Sequence, residues 1–444
     1  MKVIFINPSW HGLVSKKGGL FNRNWPPLCL LNCAALLEKE GITAEIIDAR
    51  AEDIKPDEII RRTNRVDRVF LTSSPLDRWQ CPNIEIKDFL DMLAPLRKDN
   101  LYILGAHGTV FPETMLEKTG AVAVIRGEPE LTVLELCKTT DISGVRGISY
   151  IAGGKVIHNP ERPLLDMDVL PIPAYHLINI DHYSYELLGN RLALLETSRG
   201  CPFSCIYCFK DMYGGNKYRR KSIENVTREL DYIVNTVRAK ALYFIDLEFT
   251  LDKDFVTRIC EHIISRGYDL EWCCQTRADT IDMGLLKKMK SSGCSLVHYG
   301  VETGSEKTMA SIDKRIKLDH IERGIAMTRE AGLGTACFFM FGFPGETAGD
   351  MEATIKFALR LDPDYASFHM AFPFPGTLMY QMLGTADPYP EAFTTEHSLK
   401  DLKAVVRRAF IKFYLRPSYI LSRILKGGPS SWRKQLRLFT GFLK

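Results

Sequence analysis

The 444-residue sequence holds no apolar run of bilayer-spanning length, which excludes a helical membrane protein. Its opening stretch, MKVIFINPSW, is a strand pattern and not a signal peptide. The formal charge is only +4, too little by itself to argue for a nucleic-acid partner. Of the twelve cysteines, nine lie outside one short stretch and show no paired spacing that reads as a disulfide framework. Together these absences lead to the expectation of a reducing, cytoplasmic setting. What is present is globular: 45% hydrophobic and 25% charged residues, in a chain too long for one ordinary core, so two or three domains are expected.

The other three cysteines, Cys201, Cys205 and Cys208, fall in TSRGCPFSCIYCFK (197–210) with the spacing C-x3-C-x2-C. An odd number of thiols in so tight a loop cannot be closed by disulfides, but it can bring three thiolates to one point. Three thiolates suit a [4Fe-4S] cluster with one iron left open, since full ligation needs four. An open iron is a place for a substrate or cofactor. The competing reading is three small packing residues, common for a free cysteine but not for three within eight residues flanked by Gly200 and Pro202.

The first third of the chain alternates strands and helices. Apolar runs at 2–6, 42–49, 68–74, 101–109 and 121–130 are separated by helical patterns at 28–40, 57–65 and 84–96, with another after 130. This pattern predicts a doubly wound, Rossmann-like α/β domain over 1–148. Ligands of such sheets sit at the carboxyl ends of the strands. Here those ends are Asn7-Pro8-Ser9, Thr72-Ser73-Ser74, Gly105 with His107-Gly108-Thr109, and Gly127-Glu128: small and hydroxylic, with room for something large and flat. Residues 149–190 read as a hairpin at Gly153-Gly154 and a proline-spaced linker. A second alternation follows, with strands at 194–198, 241–246, 271–277, 296–302, 335–343 and 365–373 and helices at 223–236, 252–266, 283–291, 318–331 and 348–361. Six βα units predict a partial (β/α)6 barrel of TIM type over 191–380, open on its lateral face, with its site at the strand carboxyl ends. The region 381–444 is a basic, aromatic helical extension. From Lys403 onward it holds eleven Lys or Arg and no Asp or Glu, so the rest of the chain is net −7. A packing helix at 405–415 with a solvated basic face is one reading; a surface for an acidic partner or an anionic membrane is the other.

RGCPFSCIYC, with Tyr207 just before the last cysteine, resembles the radical S-adenosylmethionine (radical SAM) enzymes. The later stretches FIDLEFTLD, CCQTRAD, HYGVETGS, MFGFPGET and FPFPGT are similar to that superfamily strand by strand. PPLCLLNCAALLEKEG, GAHGTVFPE and IRGEPE resemble the cobalamin-binding domain that precedes many of these enzymes, and FYLRPSYIL resembles the same subfamily. The D-x-H-x-x-G motif that supplies a histidine to cobalt in methionine-synthase-type domains is absent, and His107 follows the fourth strand, not the first. The resemblance therefore implies cobalamin bound without a protein histidine on cobalt.

It further implies a cobalamin-dependent radical SAM C-methyltransferase. Cys201, Cys205 and Cys208 would hold the cluster, whose open iron chelates the amino and carboxylate groups of SAM. One SAM would methylate cob(I)alamin; a second would be cleaved to methionine and a 5′-deoxyadenosyl radical. That radical would take hydrogen from an unactivated carbon, which then receives the methyl of methylcobalamin. Tyr207 would pack near the adenine, or serve as a core aromatic. Asp246 and Glu248 would accept from the methionine ammonium, or cap the helix ahead of Asp252. Gln275 and Arg277 end the third barrel strand; Arg277 suits a carboxylate fork, or an ion pair with Asp279. Glu302 would bind the ribose hydroxyls. Gly342 and Gly345 would admit the adenine, or simply make a turn. The strand-end residues of the first domain, with Leu28 and Cys29, would contact cobalamin; Cys29 also suits a buried packing thiol. The expected substrate is a peptide or protein residue such as glutamine, since the glutamine C-methyltransferase acting on methyl-coenzyme M reductase is a compact member of this kind. Hopanoid or tetrapyrrole methylation, ring formation without methyl transfer, and a non-enzymatic sensing role are the alternatives. An electron donor of the ferredoxin or flavodoxin type, no nucleic acid, a monomeric state and at most peripheral membrane contact complete the expectation.

Overall fold

The computed structural model describes residues 1–8, 24–73, 90, 93–385, 390–393 and 395–426. Most of the helix expected at 84–96 lies outside them, as do Ser9, Ser74 and the end of the basic tail. The chain divides into two compact units, Met1–Cys201 with Lys210–Tyr243, and Pro202–Phe209 with Phe244 onward.

The first sheet is built on β1 (Lys2–Asn7), whose residues Val3 to Asn7 are all buried, as expected of a parallel strand covered on both faces. With β2 (Thr43–Asp48), β3 (Arg68–Thr72), β4 (Leu101–Leu104) and β5 (Ala123–Ile125) it forms a parallel array in the order β2-β1-β3-β4-β5. This is the flavodoxin-like order, and its topological switch point lies between β1 and β3. The helices are α1 (Leu28–Lys39), α2 (Pro56–Thr63), α3 (Ala106–Val110), α4 (Pro112–Thr119) and α5 (Glu130–Lys138). Two expectations are corrected. The run 101–109 is not one strand: β4 stops at Leu104, and Gly105 (φ 108°, ψ −175°), in a backbone region essentially confined to glycine, turns the chain into α3. The hairpin at Gly153-Gly154, expected with the linker, belongs instead to the first sheet. Positive φ at both glycines (56° and 75°) makes a tight turn between β6 (Ile148–Ala152) and β7 (Lys155–His158), which extend the sheet antiparallel from β5.

The connecting stretch holds a two-residue ladder, β8 (Ser184–Tyr185) with β9 (Gly189–Asn190). The second large sheet then orders β10 (Leu192–Leu195), β13 (Ala241–Phe244), β14 (Glu271–Thr276), β15 (Cys294–Glu302), β16 (Gly334–Phe341) and β17 (Tyr365–Met370) in chain sequence. Between β10 and β13, β11 (Ser198–Arg199) pairs antiparallel with β12 (Arg219–Arg220). β10 and β17 end the order without pairing to each other, so among the described residues the barrel stays open, as the count of six units predicted. The intervening helices are α6 (Ile223–Asn235), α7 (Lys253–Arg266), α8 (Met283–Ser291), α9 (Glu306–Ser311), α10 (Leu318–Glu330) and α11 (Ala348–Leu361). Ser222, Asp252, Asp282, Ser305 and Thr347 each cap a helix by accepting a backbone N–H three residues on. Beyond the sheet come α12 (Leu378–Leu383), α13 (Leu399–Tyr414) and α14 (Pro417–Lys426).

α13 begins earlier than the expected residue 405 because Ser398 caps it, accepting from Asp401 N. Its Phe410 and Phe413 meet Phe368 of β17 edge-on, and Phe368 stacks on Phe339 and Phe341 of β16. This aromatic block closes the outer face of the last two strands. Phe368→Ala should cost about 3–5 kcal/mol, the usual range for an emptied aromatic core site, measured by urea denaturation.

Candidate functional site

The cysteine loop leaves β11 through a glycine that no other residue can replace. Gly200 has φ +77°, and a Cβ there would stand 2.2 Å from the Lys217 carbonyl oxygen. Cys201 N donates to Gly215 O at 3.3 Å, and Cys208 N to Cys205 O at 3.2 Å. Ile206 is pinned on both sides, its N donating to Ile312 O (3.1 Å) and its O accepting from Met379 N (3.0 Å). Exposure separates this triplet from the rest: Cys201, Cys205 and Cys208 are half-buried, whereas the other eight described cysteines are buried. Burial pushes the Cys137 and Cys260 thiols up to about 12, leaving them as neutral packing groups. Cys29 is likewise buried, at the first turn of α1 beside Leu28. Among the described residues no three His, Cys, Asp or Glu side chains converge as a metal-binding set. The loop thus supplies donor type, spacing and access for a cluster, and not a preformed cage.

Across the strand ends, Glu302 closes β15 in a left-handed conformation (φ +68°), where the pairing register with β16 shifts. A buried non-glycine residue held there marks stored strain of the kind found at functional sites. Its Oε1 accepts from Lys314 Nζ at 2.7 Å, and the same ammonium donates to the Tyr207 hydroxyl at 3.3 Å. Gly300 makes the room: a Cβ there would lie 2.4 Å from Glu302 Oε1 and 2.9 Å from Lys314 Nζ. Burial, then the charges of Glu302, Cys205 and Cys208, hold the Tyr207 pKa well above the usual phenol value. The Tyr207 ring lies 5.5 Å from that of Phe343. Lys314 gave no signal in the sequence, sitting in a charged turn between Asp313 and Arg315.

Arg277 is closed on Asp279 by two hydrogen bonds (2.9 and 2.8 Å), donates to Lys314 O at 2.7 Å and covers the Phe203 ring at 3.9 Å. The ion-pair alternative is the one seen, and the guanidinium is not an open fork. Glu248 accepts from Thr276 and Thr280, and burial still raises its pKa. Asp246 is buried too, and neither carboxylate caps α7, because Asp252 does. Gln275 is half-buried, and its main-chain carbonyl accepts from Phe249 N at 3.2 Å. At the end of β16, Gly342 N and Phe343 N both donate to Glu346 Oε2 (2.6 and 3.1 Å). Gly345 is exposed and turns the chain at φ +70°.

In the first unit, the switch point is formed by Asn7-Pro8 and Thr72-Ser73, all buried. Among the described residues, the Ser73 hydroxyl has no hydrogen-bond partner. Gly105 and the buried His107 follow on the next strand end. Four other expected contacts carry local structure. Gly108 lets α3 sit on β5, since a Cβ would meet Val124 Cγ1 at 2.5 Å. Thr109 Oγ1 accepts from Gly127 N at 3.0 Å. Glu128 is fully engaged: it accepts from Leu165 N (3.0 Å), Arg199 (3.0 Å) and Arg219 (2.6 and 3.2 Å).

That engagement exposes a group the sequence did not signal. Arg199, directly before Gly200, has a side chain with no exposed surface and is bound by Glu128, Glu130 (2.5 Å) and Glu196 (2.9 Å). Burial would lower its pKa, but Glu130, Glu196 and Glu128 more than reverse this and hold it well above the usual value. Removing one member of such a set leaves unmatched buried charge. Arg199→Met should destabilise the fold by about 3–5 kcal/mol, read by urea denaturation.

Glu346 generates a pH prediction. Burial raises its pKa from 4.5 to about 7 despite the two N–H donors. A carboxyl raised in the folded state adds stability below its unfolded pKa and loses it as pH rises to the folded one. Relative to Glu346→Gln, the wild type should lose on the order of 3 kcal/mol between pH 4.5 and pH 8, in paired denaturation series.

The profile of the Radical SAM superfamily matches residues 195–358. A Pyrococcus horikoshii protein named as an uncharacterized methyltransferase is 32% identical over 455 aligned residues, covering 96% of this chain and 95% of that one. The anaerobic magnesium-protoporphyrin IX monomethyl ester cyclase of Rubrivivax gelatinosus is 28% identical over 403 residues, 86% of this chain and 70% of its own. Among solved structures, the cobalamin-dependent S-adenosylmethionine radical enzyme OxsB, with aqua-cobalamin and S-adenosylmethionine bound, has a TM-score of 0.75 at 17% identity, covering 100% of this chain and 72% of that one, a likeness of fold. With its cysteine loop, its open six-stranded sheet and a relative matched nearly end to end, the chain belongs to the radical SAM superfamily, in the methyltransferase family of the Pyrococcus protein.

Proposed function

We propose that the protein is a cobalamin-dependent radical SAM C-methyltransferase acting on an unactivated carbon. The observation that carries this reading is the run of three half-exposed cysteines beside Tyr207, whose hydroxyl meets the strained Glu302–Lys314 pair. Cys201, Cys205 and Cys208 are the thiolates that hold a [4Fe-4S] cluster, which when bound supplies the electron that cleaves SAM. Glu302 offers its carboxylate to the ribose hydroxyls, and Lys314 fixes where that carboxylate points. Glu346 orients the Gly342 and Phe343 N–H groups and so shapes the turn beside which an adenine fits. Arg277, locked by Asp279, braces the loop carrying Lys314.

For cobalamin, the support is the flavodoxin-like strand order and the buried Ser73 hydroxyl at its switch point, which has no partner among the described residues. Pro8, Thr72, Ser73, Gly105 and His107 are the residues of this chain that fit it, with no histidine in a cobalt-ligating motif. Bound there, cobalamin carries the methyl group. A peptide or protein residue such as glutamine is the favoured substrate over a hopanoid or tetrapyrrole. Its support is the exposed Lys400 and Arg407 on α13, which suit an acidic polypeptide. Ring formation without methyl transfer is the second reading, favoured by the likeness to the cyclase.

Anaerobic turnover separates the two. Methyl transfer consumes two SAM, giving S-adenosylhomocysteine and 5′-deoxyadenosine in equal amounts, whereas deoxyadenosine alone marks ring formation. Cys205→Ala should abolish iron–sulfur content and SAM cleavage while leaving cobalamin bound, by iron assay, chromatography and absorbance. Loss of cobalamin as well would contradict the separate placing of the two cofactors.

A further inference from the structure

Side chains alternate between the two faces of a strand. On β16 and β17, Phe339, Phe341 and Phe368 take the face closed by α13. Phe338, Met340, Ser367 and His369 therefore share the opposite face. All four keep solvent exposure, while Phe339, Phe341, Ala366 and Phe368 are buried. His298 of β15 joins them: its ring stacks on Phe338 (5.7 Å, 18°), which stacks on His369 (6.5 Å, 30°). An imidazole–phenyl–imidazole ladder thus crosses three adjacent parallel strands. His369 Nε2 lies 2.6 Å from Ser367 Oγ.

The ionisable groups at these strand ends are matched. Glu302 has Lys314, Arg277 has Asp279, and burial raises Glu248 toward its neutral form. The His369 imidazole is exposed, and the Glu302 carboxylate is the charge that acts on it. Among the described residues, Lys314 and Arg277 are already paired, and a charged ligand group would meet the field of Glu302. A neutral donor or acceptor finds an imidazole and a hydroxyl, with a phenyl ring and a thioether beside them.

We infer that this open face, centred on His369, is the substrate-binding surface, and that it selects an uncharged hydrogen-bonding group, amide or hydroxyl, carried beside an apolar segment that packs on Phe338 and Met340. The inference rests on the SAM reading above for the place of the chemistry, but its labelling test does not.

Diethyl pyrocarbonate labelling of His369 at pH 6.5, followed by peptide mass spectrometry on the full chain, gives the readout, with butyramide and butyrate as probes matched in shape. Butyramide should slow labelling in a saturable way, with a protection constant about fivefold tighter than that of butyrate, the ratio one net hydrogen bond yields. Phe338→Ala should remove the butyramide protection. His369→Asn, which keeps a hydrogen-bonding amide, should bind SAM as the wild type does. Equal or better protection by butyrate, protection by neither probe, or a loss of SAM affinity in His369→Asn would each overturn the assignment. Failure of the wild type to bind SAM would instead defeat the functional reading, leaving the probe comparison interpretable.

Discussion

A guanidinium sealed from water survives only among carboxylates, and Arg199 has three. The cysteine loop depends on that requirement. Glu128 and Glu130 follow β5, seventy-odd residues before Arg199, so the arginine ties the start of the loop to the first sheet. Arg219, its antiparallel partner on β12, shares Glu128, so the returning strand is held by the same charges. Gly200 and Cys201 then leave from a fixed point, and Ile206 is pinned again further along the loop.

The second sheet could be read from its sequence because each of its signals is local. Six apolar runs, separated by five helical patterns, stand in the order in which they hydrogen-bond, and Ser222, Asp252 and Asp282 cap the first three of those helices. The first sheet was legible to β4, where a glycine ended a strand that apolar periodicity would have prolonged. The hairpin's membership in that sheet was not legible, since nothing in a two-glycine turn names its neighbour. Charged residues hid the most. Arg199 and Lys314 look like solvated side chains until their distant carboxylates are known. Glu128 follows the end of β5, yet its oxygens are taken by two arginines and the Leu165 N–H. Strand-end reasoning gives location, and only the fold gives partners.

The strand ends of the second sheet combine backbone strain with electrical balance. Glu302 occupies a conformation that most residues avoid, and the missing side chain at Gly300 lets its carboxylate turn toward Lys314. Arg277 and Asp279 cancel next to them. A surface whose charges are mutually cancelled keeps its shape when a neutral molecule arrives and has little to offer an ion.

The distribution of sulfur has a chemical consequence for the protein in air. Among the described cysteines, eight are sealed in hydrophobic packing and three are open to solvent in one loop. Among these described thiols, oxygen, peroxide or an alkylating reagent therefore meets the loop's three first and none in the core. Oxidative inactivation would be local and chemically simple: a folded molecule with a spoiled loop, recoverable by a reductant so long as its sulfurs have gone no further than disulfide or sulfenic acid.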